Sequence, residues 1–231
     1  MKTVDLDATP LRDLNQMLHD QAGLDHVTEA WHVANPSGRH AIAAGLNAPI
    51  HVNVAGNVGY YCAGMNQLAT VTIDGSAGVG VAENMMSGHV HVKGDASQSA
   101  GATGCGGLLV IDGNASARCG ISNRGVDIVV KGSIGHMSAF MAQAGTLTVL
   151  GDAGDYLGDS IYEAQLFVRG SVKSLGTDCI EKPLNDPQKQ HLRRLLDLAG
   201  LGGEVDVSDF KRFGSARQLY NFQIDNLEAY G

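Results

Sequence analysis

Residues 90–94 read VHVKG, and this pattern of two alternating aliphatic residues before a glycine decides the fold. It occurs seven times, and successive copies are 19 residues apart, ending at Gly56, Gly75, Gly94, Gly113, Gly132, Gly151 and Gly170. Alternating aliphatic residues, most of them β-branched, predict a strand that buries one face. An unbroken period of this length indicates a solenoid in which each repeat is one coil.

Small and polar residues follow each of these anchor glycines. The next residue is Asn, Ser or Asp in every copy, which is typical of a turn. Glycine stands three residues after four anchors and seven residues after three anchors, at Gly59, Gly78, Gly135, Gly154, Gly101, Gly120 and Gly158. The other copies carry Ser or Ala at these positions, and only Lys173 and Thr177 of the last copy depart from the rule of very small residues. Each coil is therefore predicted to contain a strand, a polar corner and a second leg of very small residues.

The stretch GDAGDYLG (151–158) resembles a phosphate-binding loop when it is taken alone. In register, however, it is the sixth copy of the corner, and no helix start follows it. We therefore expect its glycines to let one coil stack closely on the next.

The sequence predicts an all-β core, namely a right-handed parallel β-helix of about seven coils with helical caps at both ends. We expect an N-terminal strand and helix cap in residues 1–45, the β-helix in 46–183, and a C-terminal helix and docking arm in 184–231. A leucine-rich-type solenoid fits less well because no coil carries a leucine consensus with a helical segment. A Rossmann sheet is disfavoured because nothing of helix length lies between the strands.

Both flanks contain a segment with helix signals. Residues 9–20 read TPLRDLNQMLHD, with Thr9 as the expected N-cap. Residues 185–200 read NDPQKQHLRRLLDLAG, in which Asp186 is the expected cap and Gly200 the expected end. Each segment carries an apolar stripe, as a helix that covers the end or side of the rod requires.

Several apolar residues are placed where the rod should face outward or where the chain leaves it. The column three residues before the anchors turns apolar in the later coils, so we expect the C-terminal tail or a partner to cover that face. Two methionines lie in a loop leg, where they serve adaptable contacts. Four aromatic residues of the terminal arm suggest docking onto this rod or another subunit. The predicted interface thus comprises Val110, Val129, Phe167, Met85, Met86, Phe210, Phe213, Tyr220 and Phe222.

Composition limits the classes of function. The formal net charge of −8 argues against a nucleic-acid binder, which needs a basic face. No run of about 18 apolar residues could span a membrane, and the N-terminus has no apolar signal core. The four cysteines show neither a C-x-x-C pair nor zinc spacing. We therefore expect a cytoplasmic protein with reduced thiols.

No pattern in the sequence supports a catalytic, cofactor-binding or metal site. Cys62 and Cys119 share a column three coils apart, roughly 14 Å at strand spacing, which excludes a disulfide and predicts buried structural thiols. His51 and His89 share another column two coils apart, too far for one metal ion. His91 is expected to point away from His89.

Charges on the outer strand face alternate in sign. Asp74, Lys93, Asp112 and Lys131 stand directly before successive anchors. Neighbouring opposite charges at strand spacing predict ion pairs that fix the register of the coils rather than a cluster of catalytic acids.

The chain also resembles a known family. The stretches GNVGYYCAGMNQ (56–67), GVGVAENMMSGHVHVKGDASQSAGATG (78–104), GNASARCGIS (113–122) and GHMSAFM (135–141) carry the resemblance. They are similar to the GXGXG domain at the C-terminus of the glutamate synthase large subunit. They are most similar to its stand-alone relative, the small glutamate-synthase-like subunit of methylamine–glutamate N-methyltransferase, also called N-methylglutamate synthase. The likeness is strongest over residues 33–182.

This resemblance implies a non-catalytic scaffold in a hetero-oligomeric enzyme that converts glutamate and methylamine to N-methylglutamate and ammonia. The expected partners are a class II glutamine amidotransferase-like subunit and a glutamate synthase-like subunit that carries FMN and an iron–sulfur cluster. Neither cofactor is expected in this chain. The β-helix subunit of a glutamate synthase or of formylmethanofuran dehydrogenase is the alternative. A free-standing β-helix that binds glycans or polymerises would need an aromatic or acidic stripe, which the sequence lacks.

Overall fold

The computed structural model describes residues 1–23 and 30–218. Within them, one sheet of eleven strands runs the length of the molecule in the order β1-β2-β3-β4-β5-β6-β7-β8-β9-β11-β10. The strands are β1 (Lys2–Asp5), β2 (Ala30–Ala34), β3 (His51–Val54), β4 (Thr70–Ile73), β5 (His89–Val92), β6 (Leu108–Ile111), β7 (Arg124–Val130), β8 (Ala144–Val149), β9 (Gln165–Val168), β10 (Cys179–Lys182) and β11 (Lys211–Ser215).

The seven strands β3–β9 are the seven copies of the repeat, and they pair in parallel. Val52 pairs with Val71 and Val71 with Val90, and the same 19-residue step continues as far as Leu166. The predicted β-solenoid of about seven coils is therefore confirmed. Strands β1 and β2 add to the same sheet in parallel, although their sequences lie outside the 19-residue repeat.

A second, shorter ladder forms at each corner, two residues after the anchor. It runs from Val58 through Ala77, Ala96 and Ala115 to later coils as single parallel bridges. These corner residues and the inward strand residues are buried in one continuous core. Because the corner residues are small, the two legs of each coil can lie close together over that core.

Six of the seven polar residues that follow an anchor bond to the next coil rather than to their own turn. Each side-chain oxygen accepts the backbone N–H of its counterpart 19 residues later, at 2.7–3.1 Å. This corner ladder comprises Asn57, Ser76, Asp95, Asn114, Ser133, Asp152 and Ser171. A corner is bent too sharply for a regular backbone ladder, so the side chains satisfy N–H groups that would otherwise lack a protein partner.

The anchor glycines are required because the coils approach too closely for a side chain. A Cβ atom at Gly94 would lie 2.5 Å from Ser76 Oγ, and one at Gly151 would lie 2.5 Å from Ser133 Oγ. In the second leg, Gly158 is favoured for an additional reason, because its backbone has a positive φ of 66°, a conformation that other residues rarely adopt. The stretch 151–158 is thus a coil contact, as the sequence predicts.

Two helices flank the solenoid. Helix α1 (Leu11–His19) packs Leu14 and Leu18 against the core at the N-terminal end. Helix α2 (Asp186–Leu198) lies along the outer face of the sheet. Both predicted helices are therefore confirmed. Their predicted N-caps are wrong, because Pro10 and Asn185 occupy the N-cap positions and neither helix has a side-chain cap bond. Gly200, with a φ of 76°, follows the end of α2 as predicted.

The parallel order ends after β9, where β11 is inserted antiparallel between β9 and β10. Phe213 of β11 pairs with Leu166 and is buried in the core. Phe210 follows a short 3-10 helix (Val207–Asp209) and packs against Phe167. Both phenylalanines of the predicted arm thus contact their own rod. Tyr220 and Phe222 lie outside the described residues.

Gly158→Leu should lower the free energy of unfolding by on the order of 3 kcal/mol or more, because a leucine adds backbone strain and overpacks the core. A Cβ at this position would lie 2.8 Å from Cys179 Sγ and 2.9 Å from Leu166 Cδ1. The matched control is Gly120→Ala, since Ala139 occupies the same position with a φ of 56°. Urea unfolding followed by circular dichroism measures both. A folded Gly158→Leu protein of unchanged stability would contradict this account of the second leg.

Ser133→Ala should lower the free energy of unfolding by about 1 kcal/mol, because the N–H of Asp152 loses its acceptor. Ser133→Asn is the control, since Asn57 and Asn114 perform the same task in other coils. The same urea titration separates the two variants. Equal losses in both would show that the ladder bond itself contributes nothing.

Candidate functional site

The outer face of the sheet is divided into a covered part and an open part. Helix α2 covers the later coils, where Val110 and Val129 pack against Leu195 and Ala199. Phe167 is likewise buried against α2, next to Leu192. Of the two coverings expected from the sequence, the structure shows the C-terminal tail, so these three residues are not exposed for a partner.

Two polar contacts hold α2 in place over the sheet. His191 Nε2 lies 2.8 Å from Thr146 Oγ1, and Arg194 Nη2 lies 3.7 Å from Asp127 Oδ2. Together with the apolar contacts below the helix, these bonds fix α2 across strands β6–β9.

The open part carries the alternating charges, and the predicted ion pairs are confirmed. Lys93 Nζ lies 2.6 Å from Asp74 Oδ1, and Lys131 Nζ lies 2.8 Å from Asp112 Oδ1. The Lys93 bond holds the pKa of Asp74 below its ordinary value, against the opposing effect of partial burial. Asn53 Nδ2 extends the network by donating to Asp74 Oδ2 at 2.8 Å. The face is therefore a chain of mutually satisfied charges.

His89 and His91 lie on the same face, which corrects the expectation that they point apart. Residues two apart in a strand project to the same side, and here the two rings are parallel within 5° with centroids 6.2 Å apart. His91 Nε2 lies 2.9 Å from Asp112 Oδ1. Burial, and then the neighbouring His91, lower the pKa of His89. The lowered pKa favours a neutral His89.

A groove of about 380 Å³ follows the seam between this open face and α2. Its lining includes His89, Leu108, Asp127, Arg194 and Leu198. Nε2 of His89 is buried and has no hydrogen-bond partner among the described residues. The groove places one imidazole and one weak ion pair side by side, and among the described residues its lining contains no serine, threonine or cysteine.

The cysteines behave mainly as structural residues. Cys62 and Cys119 are buried, and burial raises the pKa of each thiol to about 12, as expected for unreactive core residues. Cys179 lies in β10, and burial, with Asp178 and Asp159 nearby, raises the pKa of its thiol to about 12 as well. Cys105 is exposed. In residues 1–23 and 30–218, no three His, Cys, Asp or Glu side chains form a group that could hold a metal ion.

Of the ten large apolar residues that are exposed in the described part of the chain, five lie on the second leg of two adjacent early coils. Tyr60, Tyr61, Met65, Leu68 and Met86 each leave 49–54 % of their surface exposed, and we call them the loop-edge patch. Sequence reasoning identified only Met86 of these. The signal for Tyr60 and Tyr61 was available, since two adjacent tyrosines are conspicuous in a leg of very small residues. Met85, in contrast, is fully buried in the core.

Comparison with known proteins gives one full-length relative. No family model matches the chain. Protein GlxC of Rhizobium meliloti (strain 1021) is 62 % identical over 231 residues, covering all of both chains. The chain belongs to the GlxC family. Within the described part of this GlxC-family chain, no helix has the length and apolarity needed to cross a membrane.

The stability of this GlxC-family chain should fall in acid partly through Asp74. Because its folded pKa lies below the ordinary value of 3.8, its contribution is present above that value and is lost as pH falls through the folded pKa. Asp74→Asn should flatten this acid slope, with a loss at neutral pH on the order of 1 kcal/mol or less for a partly exposed pair. Lys93→Met should have the same effect.

The measurement is the free energy of urea unfolding between pH 7 and pH 3 for the two single variants and the double variant. If the double variant loses the sum of the two single losses, the residues are not coupled and the pairing has no energetic role.

Proposed function

We propose that this chain is a non-catalytic scaffold subunit of a glutamate-synthase-related enzyme, specifically of an N-methylglutamate synthase. In this proposal the complex converts glutamate and methylamine to N-methylglutamate and ammonia. The chain contributes a rigid rod on which catalytic subunits are positioned, and it carries none of the reacting groups.

The observation that carries the proposal is the loop-edge patch. Five large apolar side chains, half exposed within two adjacent coils, are not needed by the core beneath them. Exposed apolar clusters with tyrosine and methionine are typical of protein interfaces. Tyr60 is also held in place, because its ring stacks on His40 at a centroid distance of 4.5 Å. A pre-positioned aromatic ring loses little entropy when a partner binds.

The resemblance of residues 33–182 to the GXGXG domain supports the choice of partners in this proposal. They are a class II glutamine amidotransferase-like subunit and a glutamate synthase-like subunit containing FMN and an iron–sulfur cluster. The stacked coils suit this role, because each coil is hydrogen-bonded to both neighbours and the rod resists bending. Subunits bound to one rod therefore keep a constant separation.

Reconstitution tests the proposal. The chain is co-expressed with the amidotransferase-like and FMN/iron–sulfur subunits from the same cell, and the purified complex is given glutamate and methylamine. We expect N-methylglutamate by mass spectrometry only when all three subunits are present. Turnover by this chain alone would overturn the scaffold role, and recovery with a molybdenum or tungsten subunit would replace the proposed complex by formylmethanofuran dehydrogenase.

Met65→Asp should weaken assembly of that complex by about tenfold or more, because a charge is placed within the loop-edge patch. Met141→Asp is the matched control: Met141 occupies the same position in a later coil, with a φ of 53° against 55° for Met65, and is also partly exposed. Co-elution in size-exclusion chromatography and binding by interferometry measure the effect. Equal behaviour of the two variants would show that the patch is not the interface.

A further inference from the structure

The last two strands of the sheet place two positive side chains directly opposite each other. Lys182 of β10 pairs with Arg212 of β11 in the antiparallel register. Like charges at such a position repel each other and destabilise the pair of strands. No ion pair joins either residue to a carboxylate in the part of the chain that the structure describes.

A small cavity of about 70 Å³ adjoins these two residues, and we call it the terminal basic pocket. Its lining contains Lys182, Arg212, Arg217, Ser215 and Glu163, with Tyr162, Ala164 and Gly214 completing the wall. Glu163 is the single acidic residue in this lining, and its Oε2 accepts from Arg217 Nη2 at 2.8 Å. The remaining charge of the pocket is therefore positive, in a chain whose net charge is −8.

The guanidinium of Arg212 is not fully used by the protein. Its Nη1 donates to the carbonyl oxygen of Pro183 at 3.3 Å, whereas its Nε is buried and has no partner among the described residues. A buried N–H of a charged group without an acceptor is costly. An oxyanion accepts from guanidinium and ammonium groups through short, charge-assisted bonds, so it would satisfy this donor and also screen the repulsion.

We propose that the terminal basic pocket binds a small oxyanion of the phosphate class between Lys182 and Arg212. The cavity exceeds what a single water needs and suits one compact tetrahedral ion. Ser215 lines the same pocket, but its hydroxyl already donates to Asp178 Oδ2 at 2.6 Å, so Lys182 and Arg212 are the donors proposed for the ion. This site does not depend on the loop-edge patch or on the proposed complex, because it lies on β10 and β11 at the other end of the rod.

Inorganic phosphate is the probe for the test. The purified chain is titrated with phosphate at constant ionic strength, with chloride, sulfate and glutamate in parallel arms, while the unfolding temperature and the ³¹P line width are followed. We expect phosphate and sulfate to raise the unfolding temperature in a saturable manner. A stronger response to glutamate would assign the pocket to carboxylates and overturn the phosphate class, and an equal response to chloride would reduce the effect to general screening.

Lys182→Gln and Arg212→Gln should each weaken phosphate binding by about tenfold or more. Lys182→Gln should also leave the phosphate-free protein at least as stable as wild type, because the repulsion between Lys182 and Arg212 is removed. The test therefore remains valid if Arg212→Gln folds poorly. Lys211→Gln is the control, since Lys211 is the neighbour of Arg212 in β11 and lies near Glu181 at 3.8 Å. Unchanged phosphate affinity in Lys182→Gln would overturn the site.

Discussion

The close approach of one coil to the next at the anchor glycines is the constraint on which this structure depends. The site of a Cβ at Gly94 is already taken by Ser76 of the preceding coil. Only glycine permits this spacing, and the spacing in turn brings each corner oxygen within reach of the next N–H. The parallel sheet, the corner bridges and the corner ladder are three consequences of the same stacking.

Stacking of this kind repeats every side chain in columns, so the surface of the rod is organised in stripes. The stripe before the anchors alternates in charge and satisfies itself through Lys93–Asp74 and Lys131–Asp112. The neighbouring stripe turns apolar at Val110, and α2 covers it. Helix α2 therefore covers the sheet only where its outer face is apolar. The groove beside His89 lies at the boundary between this covered part and the open polar part.

The surfaces that we propose as binding sites lie where the chain departs from the repeat. Tyr60 and Tyr61 disturb a leg of small residues and supply the loop-edge patch, which we propose as a subunit contact. At the other end, β11 breaks the parallel order and sets Arg212 opposite Lys182, a juxtaposition that a parallel coil would not have produced. In the regular coils, many charged and polar groups already have partners within the chain. Partners and ligands would therefore form more new contacts at the irregular places.

The sequence by itself determined the solenoid, the register of its seven coils, the helical flanks and the inert nature of Cys62 and Cys119. This was possible because residues 19 apart occupy the same position in successive coils, so the pattern of one coil predicts which residues lie next to it in the following coil. Tertiary structure alone decided that α2, and not a partner, covers Val129, that Met85 is buried while Met86 is exposed, and that Lys182 faces Arg212. These outcomes depend on how non-repeating segments return to the rod, and no period in the sequence records that path.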